Sequence, residues 1–146
     1  MKALLDVNFL VALAWKQHQF HPAATHWLEK HESLGWATCA ITQLGFIRLS
    51  SQPSIFGSQA KTPEQARLLL GHYISRKDHT FFSTLPTPSE CAEFSKIIGP
   101  NKVTDAYLLH VAHHHHAKFV TFDQRLASLT SNKNLVEIVV PSISGG

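Results

Sequence analysis

A chain of 146 residues with 44% hydrophobic and 16% charged residues is large enough for a real core but short of two domains, so a single domain over 1–146 is expected. The formal net charge of +3 and the pI of about 9.0 admit a nucleic-acid partner without requiring one. Cys39 and Cys91 are too few and too distant for a disulfide framework or a zinc ribbon, and read as buried thiols in a reducing compartment. No apolar run is long enough to span a bilayer, and Asp6 comes too early for a signal-peptide core. A cytoplasmic protein with no membrane partner is expected.

In chain order, residues 3–5 read as a short buried strand, and Phe9, Leu10, Leu13 and Ala14 then recur at helical spacing. His21-Pro22 marks a helix start, with Ala24, Trp27 and Leu28 on its apolar stripe. Residues 35–39 fit a second strand. Thr42 is a plausible N-cap for a helix over 43–51, which Pro53 stops. Thr62-Pro63 opens another helix, and residues 79–82 are a third strand candidate. A short helix is expected over 89–98 and a longer one over 103–115. A strand over 118–122, a helical turn over 125–129 and a last strand over 135–140 follow. Strands alternating with helices predict an α/β fold, a parallel sheet of about five strands covered on both faces. Trp15, Trp27 and Trp36 stand in apolar-periodic contexts and are expected in the core.

Three aspartates punctuate this pattern. Asp6 closes the first strand, Asp123 closes Phe119-Val120-Thr121-Phe122, and Asp105 opens the apolar-periodic helix that begins near Val103. Each could serve as a helix cap or first-turn acid, a role worth about 1 kcal/mol. Parallel strands, however, deliver their carboxyl ends to one edge, where ligands bind. Carboxylates gathered there from both ends of a chain repel one another and call for a hard cation such as Mg²⁺ or Mn²⁺.

Four blocks carry a family likeness: Leu4-Leu5-Asp6-Val7-Asn8-Phe9-Leu10, Thr42-Gln43-Leu44-Gly45-Phe46-Ile47-Arg48, Val103-Thr104-Asp105-Ala106-Tyr107-Leu108 and Val120-Thr121-Phe122-Asp123. Taken in order they resemble the PIN-domain family, and more closely the VapC toxins of bacterial toxin–antitoxin pairs. The resemblance covers nearly the whole chain. It implies an α/β/α sandwich and a Mg²⁺- or Mn²⁺-dependent endoribonuclease that acts on RNA. It also implies a homodimer and inhibition by a cognate antitoxin. By that likeness Asp6, Asp105 and Asp123 map onto the metal-binding acids, and Asn8 and Thr121 onto polar positions lining the same pocket.

One position departs from the family. The helix after the second strand usually supplies a glutamate, and Gln43 stands there instead, offering a carbonyl oxygen but no charge. One firmly held ion is expected, or else a catalytically impaired module that binds RNA or protein. Arg48, five residues on, is a candidate phosphate contact, as are Lys102 and Arg125. An aspartate phosphotransferase fits less well, because Asn8 stands where a second acid would be needed. His110 and His114 have a spacing that can grip zinc, yet no third ligand is evident in the sequence. The run His113 to His116 therefore reads as a solvated helix end.

Overall fold

Among the described residues five short runs become strands: β1 (Ala3–Leu5), β2 (Trp36–Cys39), β3 (His79–Phe82), β4 (Lys118–Thr121) and β5 (Val136–Ile138). They form one sheet in the order β3-β2-β1-β4-β5, and every neighbouring pair is parallel. The computed structural model describes residues 1–141. β1 and β2 are buried along their whole length, which is why they lack the polar alternation of a half-exposed strand.

Alternate strand residues feed two separate cores. Ala3, Leu5, Trp36 and Val120 pack against a layer containing α1 (Val7–Ala14), α2 (His21–His31), α3 (Ala40–Ser50) and α5 (Pro63–Ile74). Leu4, Ala37, Cys39 and Phe119 face the other layer, dominated by α6 (Val103–His114). The result is the expected α/β/α sandwich. Phe9, Leu10, Leu108 and Phe119 are completely buried, each stabilising the fold by about 1.5–3 kcal/mol relative to exposure. The three tryptophans are buried as well.

Packing also fixes where α1 begins. A Cβ on Gly45 of α3 would meet Val7 Cγ2 at 2.7 Å, so only glycine lets the two helices approach this closely. Val7 is the first residue of α1, and Asp6 is its N-cap.

Several local expectations change. Helix α3 starts at Ala40, with Cys39 as its cap. Thr42 is the third helical residue, and its hydroxyl accepts the Cys39 N–H at 2.9 Å. Pro53 ends α3 but opens a single turn, α4 (Pro53–Phe56), where its fixed φ suits the first position. The stretch over 89–98 is two 3₁₀ turns, Pro88–Glu90 and Ala92–Lys96, separated by an extended Cys91. Residues 124–129 are likewise 3₁₀, and β5 is shorter than expected. No helix among the described residues is long and apolar enough to cross a membrane.

Candidate active site at the carboxyl edge of the sheet

From β1 the chain winds outward through β2 to β3, then returns to the other side of β1 as β4. The strand order therefore reverses between β1 and β4, and a crevice opens outside their carboxyl ends. Asp6 follows β1 directly, and Asp123 lies just beyond Thr121, the last residue of β4. Asp105 occupies the first turn of α6. The structure thus gathers the three aspartates that the sequence scatters.

Their environments differ sharply. Asp6 is 4% exposed; its Oδ1 accepts the Val7 N–H at 2.7 Å and its Oδ2 accepts the Thr121 hydroxyl at 2.6 Å. Burial pushes its pKa up to about 6; the Thr121 hydrogen bond opposes the rise and the charge of Asp105 adds to it. Like-charge repulsion contributes, as a cluster of acids demands, but desolvation leads. Asp123 is the opposite case. Arg125 donates Nε to Oδ1 and Nη2 to Oδ2, both at 3.0 Å, and Lys102 Nζ donates to Oδ2 at 2.7 Å. Arg125 first, with help from Lys102, holds this carboxyl far below the ordinary carboxylate range. Asp105 is raised by burial, against the pull of Lys102, whose Nζ lies 3.8 Å from its Oδ2.

Two residues tie the acids together. The Thr121 hydroxyl donates to Asp6 and accepts the Asp123 N–H at 3.0 Å, so one side chain sets the spacing of two carboxylates. Lys102 places an ammonium between Asp105 and Asp123. The cluster thereby already accommodates a cation, and its donors are all oxygens, the set preferred by hard divalent ions. Asp6, Asp105 and Asp123 are the carboxylates that supply those oxygens at this edge.

A cleft of about 370 Å³ borders this edge, lined in part by Asn8, His18, Phe20, Thr121, Asp123 and Arg125. Asn8 is exposed on α1 and reaches the cleft wall. His18 carries no sequence signal, since it sits in the irregular link between α1 and α2. Its Nδ1 accepts the Phe20 N–H at 3.0 Å, which places the ring proton on Nε2, and burial lowers its pKa.

Gln43 and Arg48 are placed otherwise than the sequence suggests. The Gln43 amide donates to Thr38 Oγ1 at 2.9 Å, and that hydroxyl lies 2.8 Å from His79 Nε2. Burial pushes the His79 pKa down, so the neutral ring can accept the Thr38 proton. This satisfied relay turns the Gln43 side chain toward β2 and β3, whereas the acids gather beyond β1 and β4. Arg48 lies roughly 7–8 Å further along α3 from the edge. It lines a different cleft, with Leu44, Ile47 and Gln52. Lys102 and Arg125 are the cations that meet the acids.

Comparison with known proteins places this geometry in a family. The model of the PIN domain matches residues 3–131. The chain belongs to the PIN-domain family. Within it the likeness is to VapC proteins. Ribonuclease VapC44 of Mycobacterium tuberculosis strain H37Rv is 41% identical over 129 residues, covering 87% of this chain and 89% of that protein. Ribonuclease VapC39 of the same strain is 36% identical over 141 residues, covering 95% and 100%. A chain from the crystal structure of VapBC2 of Rickettsia felis, bound to a promoter DNA fragment, shares the PIN fold. It matches with a TM-score of 0.66 at 16% identity, over 94% of this chain and 98% of that one.

Proposed function

We infer that this PIN domain is a Mg²⁺- or Mn²⁺-dependent endoribonuclease that hydrolyses phosphodiester bonds in RNA and is restrained by a cognate antitoxin. The observation that carries the reading is the buried Asp6 joined through Thr121 to Asp123, with Asp105 alongside, at the switch point of a parallel sheet. Relatives named as ribonucleases support the activity, and a structural neighbour named VapBC2 supports a toxin–antitoxin context. A cytoplasmic homodimer belongs to the same reading.

Asp6, Asp105 and Asp123 would hold the divalent ion, which when bound would acidify a water and offset the charge of the phosphate. The remaining work falls to side chains. Thr121 fixes the Asp6 carboxylate, and the Val7 N–H at the start of α1 fixes its other oxygen. Lys102 and Arg125 offset the negative edge that would otherwise repel RNA, and their N–H groups can pass from Asp123 to a phosphate. His18 offers Nε2–H to the cleft. Asn8, on the cleft wall, can orient a carboxylate or a water.

A second reading is an impaired PIN module that binds RNA or protein without cutting. It is favoured by the engagement of Gln43 with Thr38 and by the cations already seated on Asp123. Cleavage of a structured RNA by the purified protein separates the two. Activity that appears with Mg²⁺ or Mn²⁺, vanishes in chelator and is lost in Asp105→Asn supports the nuclease. RNA binding without divalent-dependent cleavage supports the module.

A further inference from the structure

On the α6 layer of the sandwich, Cys91, Glu93 and His110 bring one ligand atom each to within 4.8 Å of one another. Glu93 Oε2 stands 3.3 Å from His110 Nδ1 and 3.5 Å from Cys91 Sγ. Around a tetrahedral zinc, with bonds of about 2.3 Å to sulfur and about 2.0–2.1 Å to nitrogen or oxygen, ligand atoms sit roughly 3.3–3.6 Å apart. Both recorded edges fall in that range. We propose that Cys91, Glu93 and His110 form a second metal site, suited to a zinc-like cation and distinct from the acid cluster.

The sequence concealed this site because its ligands come from two elements. Cys91 is the extended residue that separates the two 3₁₀ turns, Glu93 lies in the first turn of the second, and His110 comes from the middle of α6. Those elements are already fastened together: Tyr107 Oη donates to the Pro86 carbonyl at 2.6 Å, and Cys91 Sγ lies 3.7 Å from the Ala106 carbonyl. Little rearrangement is needed to admit an ion. Cys91 is 6% exposed, and the Glu93 and His110 side chains are 13% and 19% exposed, sheltered yet reachable.

The chemistry balances. One thiolate and one carboxylate cancel the charge of a dication, while the neutral imidazole adds a third donor and leaves a fourth position for water. Without metal, burial first and Glu93 second raise the Cys91 pKa, and the thiol donates to the carboxylate. Binding forms a metal–sulfur bond and breaks the S–H bond; the proton leaves to solvent, so uptake weakens as pH falls. Sulfur and nitrogen donors favour zinc-like ions, whereas the all-oxygen acid cluster favours Mg²⁺ or Mn²⁺. The ion would pin the segment between β3 and α6 onto α6, the helix whose first turn carries Asp105. No residue is shared with the acid edge, so the site stands independently of any RNA cleavage.

Cobalt titration of the untagged, chelator-stripped protein tests it. One equivalent of Co²⁺ should produce a thiolate-to-cobalt charge-transfer band with tetrahedral visible bands. Zn²⁺ should displace them and excess Mg²⁺ should not. Cys91→Ser should abolish the charge-transfer band, while Cys39→Ser, Asp6→Asn and the double change His113→Ala/His114→Ala keep it. His110→Ala should weaken Zn²⁺ binding more than about tenfold, since loss of even an outer-shell partner costs that much. If Cys91→Ser does not fold, Glu93→Gln and His110→Ala are read on the same band, and unchanged affinity in both overturns the proposal. Absence of the band in the wild type at saturating Co²⁺, or its persistence in folded Cys91→Ser, overturns it as well.

Discussion

Asp6 and Asp123 leave the ends of adjacent parallel strands and share one hydroxyl, yet their acidities are driven in opposite directions. At the β1 end the carboxyl is buried, has no cation in contact among the described residues, and has its pKa pushed up to about 6. At the β4 end it is gripped by Arg125 and Lys102 and stays ionised. The contrast shows that burial at one end and a cation grip at the other, more than the crowding of like charges, set the proton inventory of this edge. Pairs of carboxyl groups forced apart in this way are where distinct roles are found. Here the buried member is the one of the three acids that has no charged partner among the described residues.

The sharpest way to break the comparison is to neutralise each end in turn. Asp6→Asn and Asp123→Asn should each reduce RNA cleavage at saturating Mg²⁺ by roughly 100-fold or more, as removal of a principal charge-stabilising group does. Full activity in Asp123→Asn would make the β4 end a purely structural ion pair.

Stability against pH comes next in size. The folded pKa of Asp6, about 6, lies above the ordinary value of 3.8. Its ionisation therefore opposes folding: the associated stability is complete below about pH 4 and is lost as pH rises through 6. At about 1.4 kcal/mol per unit, the cost of a charged Asp6 at neutral pH approaches 3 kcal/mol. Without divalent ions, Asp6→Asn should gain on the wild type by up to that amount between pH 4 and 7 in urea denaturation. A difference that stays flat over this window would show Asp6 to be ordinary. Saturating Mg²⁺ should raise the melting temperature of the wild type but not of the variant.

Asp123 should behave with the reverse sign. Its lowered pKa stabilises the fold above the normal carboxylate range, and that contribution disappears as pH falls. Lys102→Met removes the lesser of its two cation partners and should cost about 1 kcal/mol, in keeping with a partly exposed pair. The same change should tighten Mg²⁺ binding a few-fold, because the ammonium no longer competes for Asp105 and Asp123; isothermal titration reads the gain in binding and urea denaturation the loss in stability. The smallest effect is expected for Gln43→Glu. The new carboxylate loses the amide donor to Thr38 and sits toward β2, so divalent affinity should rise at most a few-fold. A large increase would mean that residue 43 can swing into the site and restore the charge that the family usually carries there.

Much of this architecture was legible in the sequence. The apolar runs before Asp6 and Asp123 announced buried parallel strands, and Thr62-Pro63 announced its helix, with Thr62 accepting the Gln65 N–H as a cap. The aspartates stood out because each follows a strand or opens a helix. Other features were hidden by the fold itself. Nothing local tells Gln43 from a residue aimed at the acids; its direction is set by Thr38 and His79, two strands that meet only in the sheet. Thr42 looked like a cap because it precedes an apolar stretch, yet the chain turns helical as soon as β2 ends at Cys39. His110 seemed to lack a third ligand because Cys91 and Glu93 belong to a 3₁₀ segment whose proximity to α6 is purely tertiary. His115 likewise stacks on Phe82 and bonds the Thr84 carbonyl, so the histidine run is not wholly a solvated end.

The strand order also imposes a timetable. β1 is made before every other described strand yet lies in the middle of the sheet, and β4, its partner at the acid edge, is made fourth. The Thr121 hydroxyl that seats Asp6 is 115 positions downstream of it. A ribosome translating this message therefore releases one acid early and withholds its two companions, together with Lys102 and Arg125, until most of the sheet has been synthesised. Pairings across such separations are also slow to form. A prematurely terminated product that stops before β4 carries Asp6 without the threonine that orients it. Completion of the polypeptide is thus the step that assembles the acid edge.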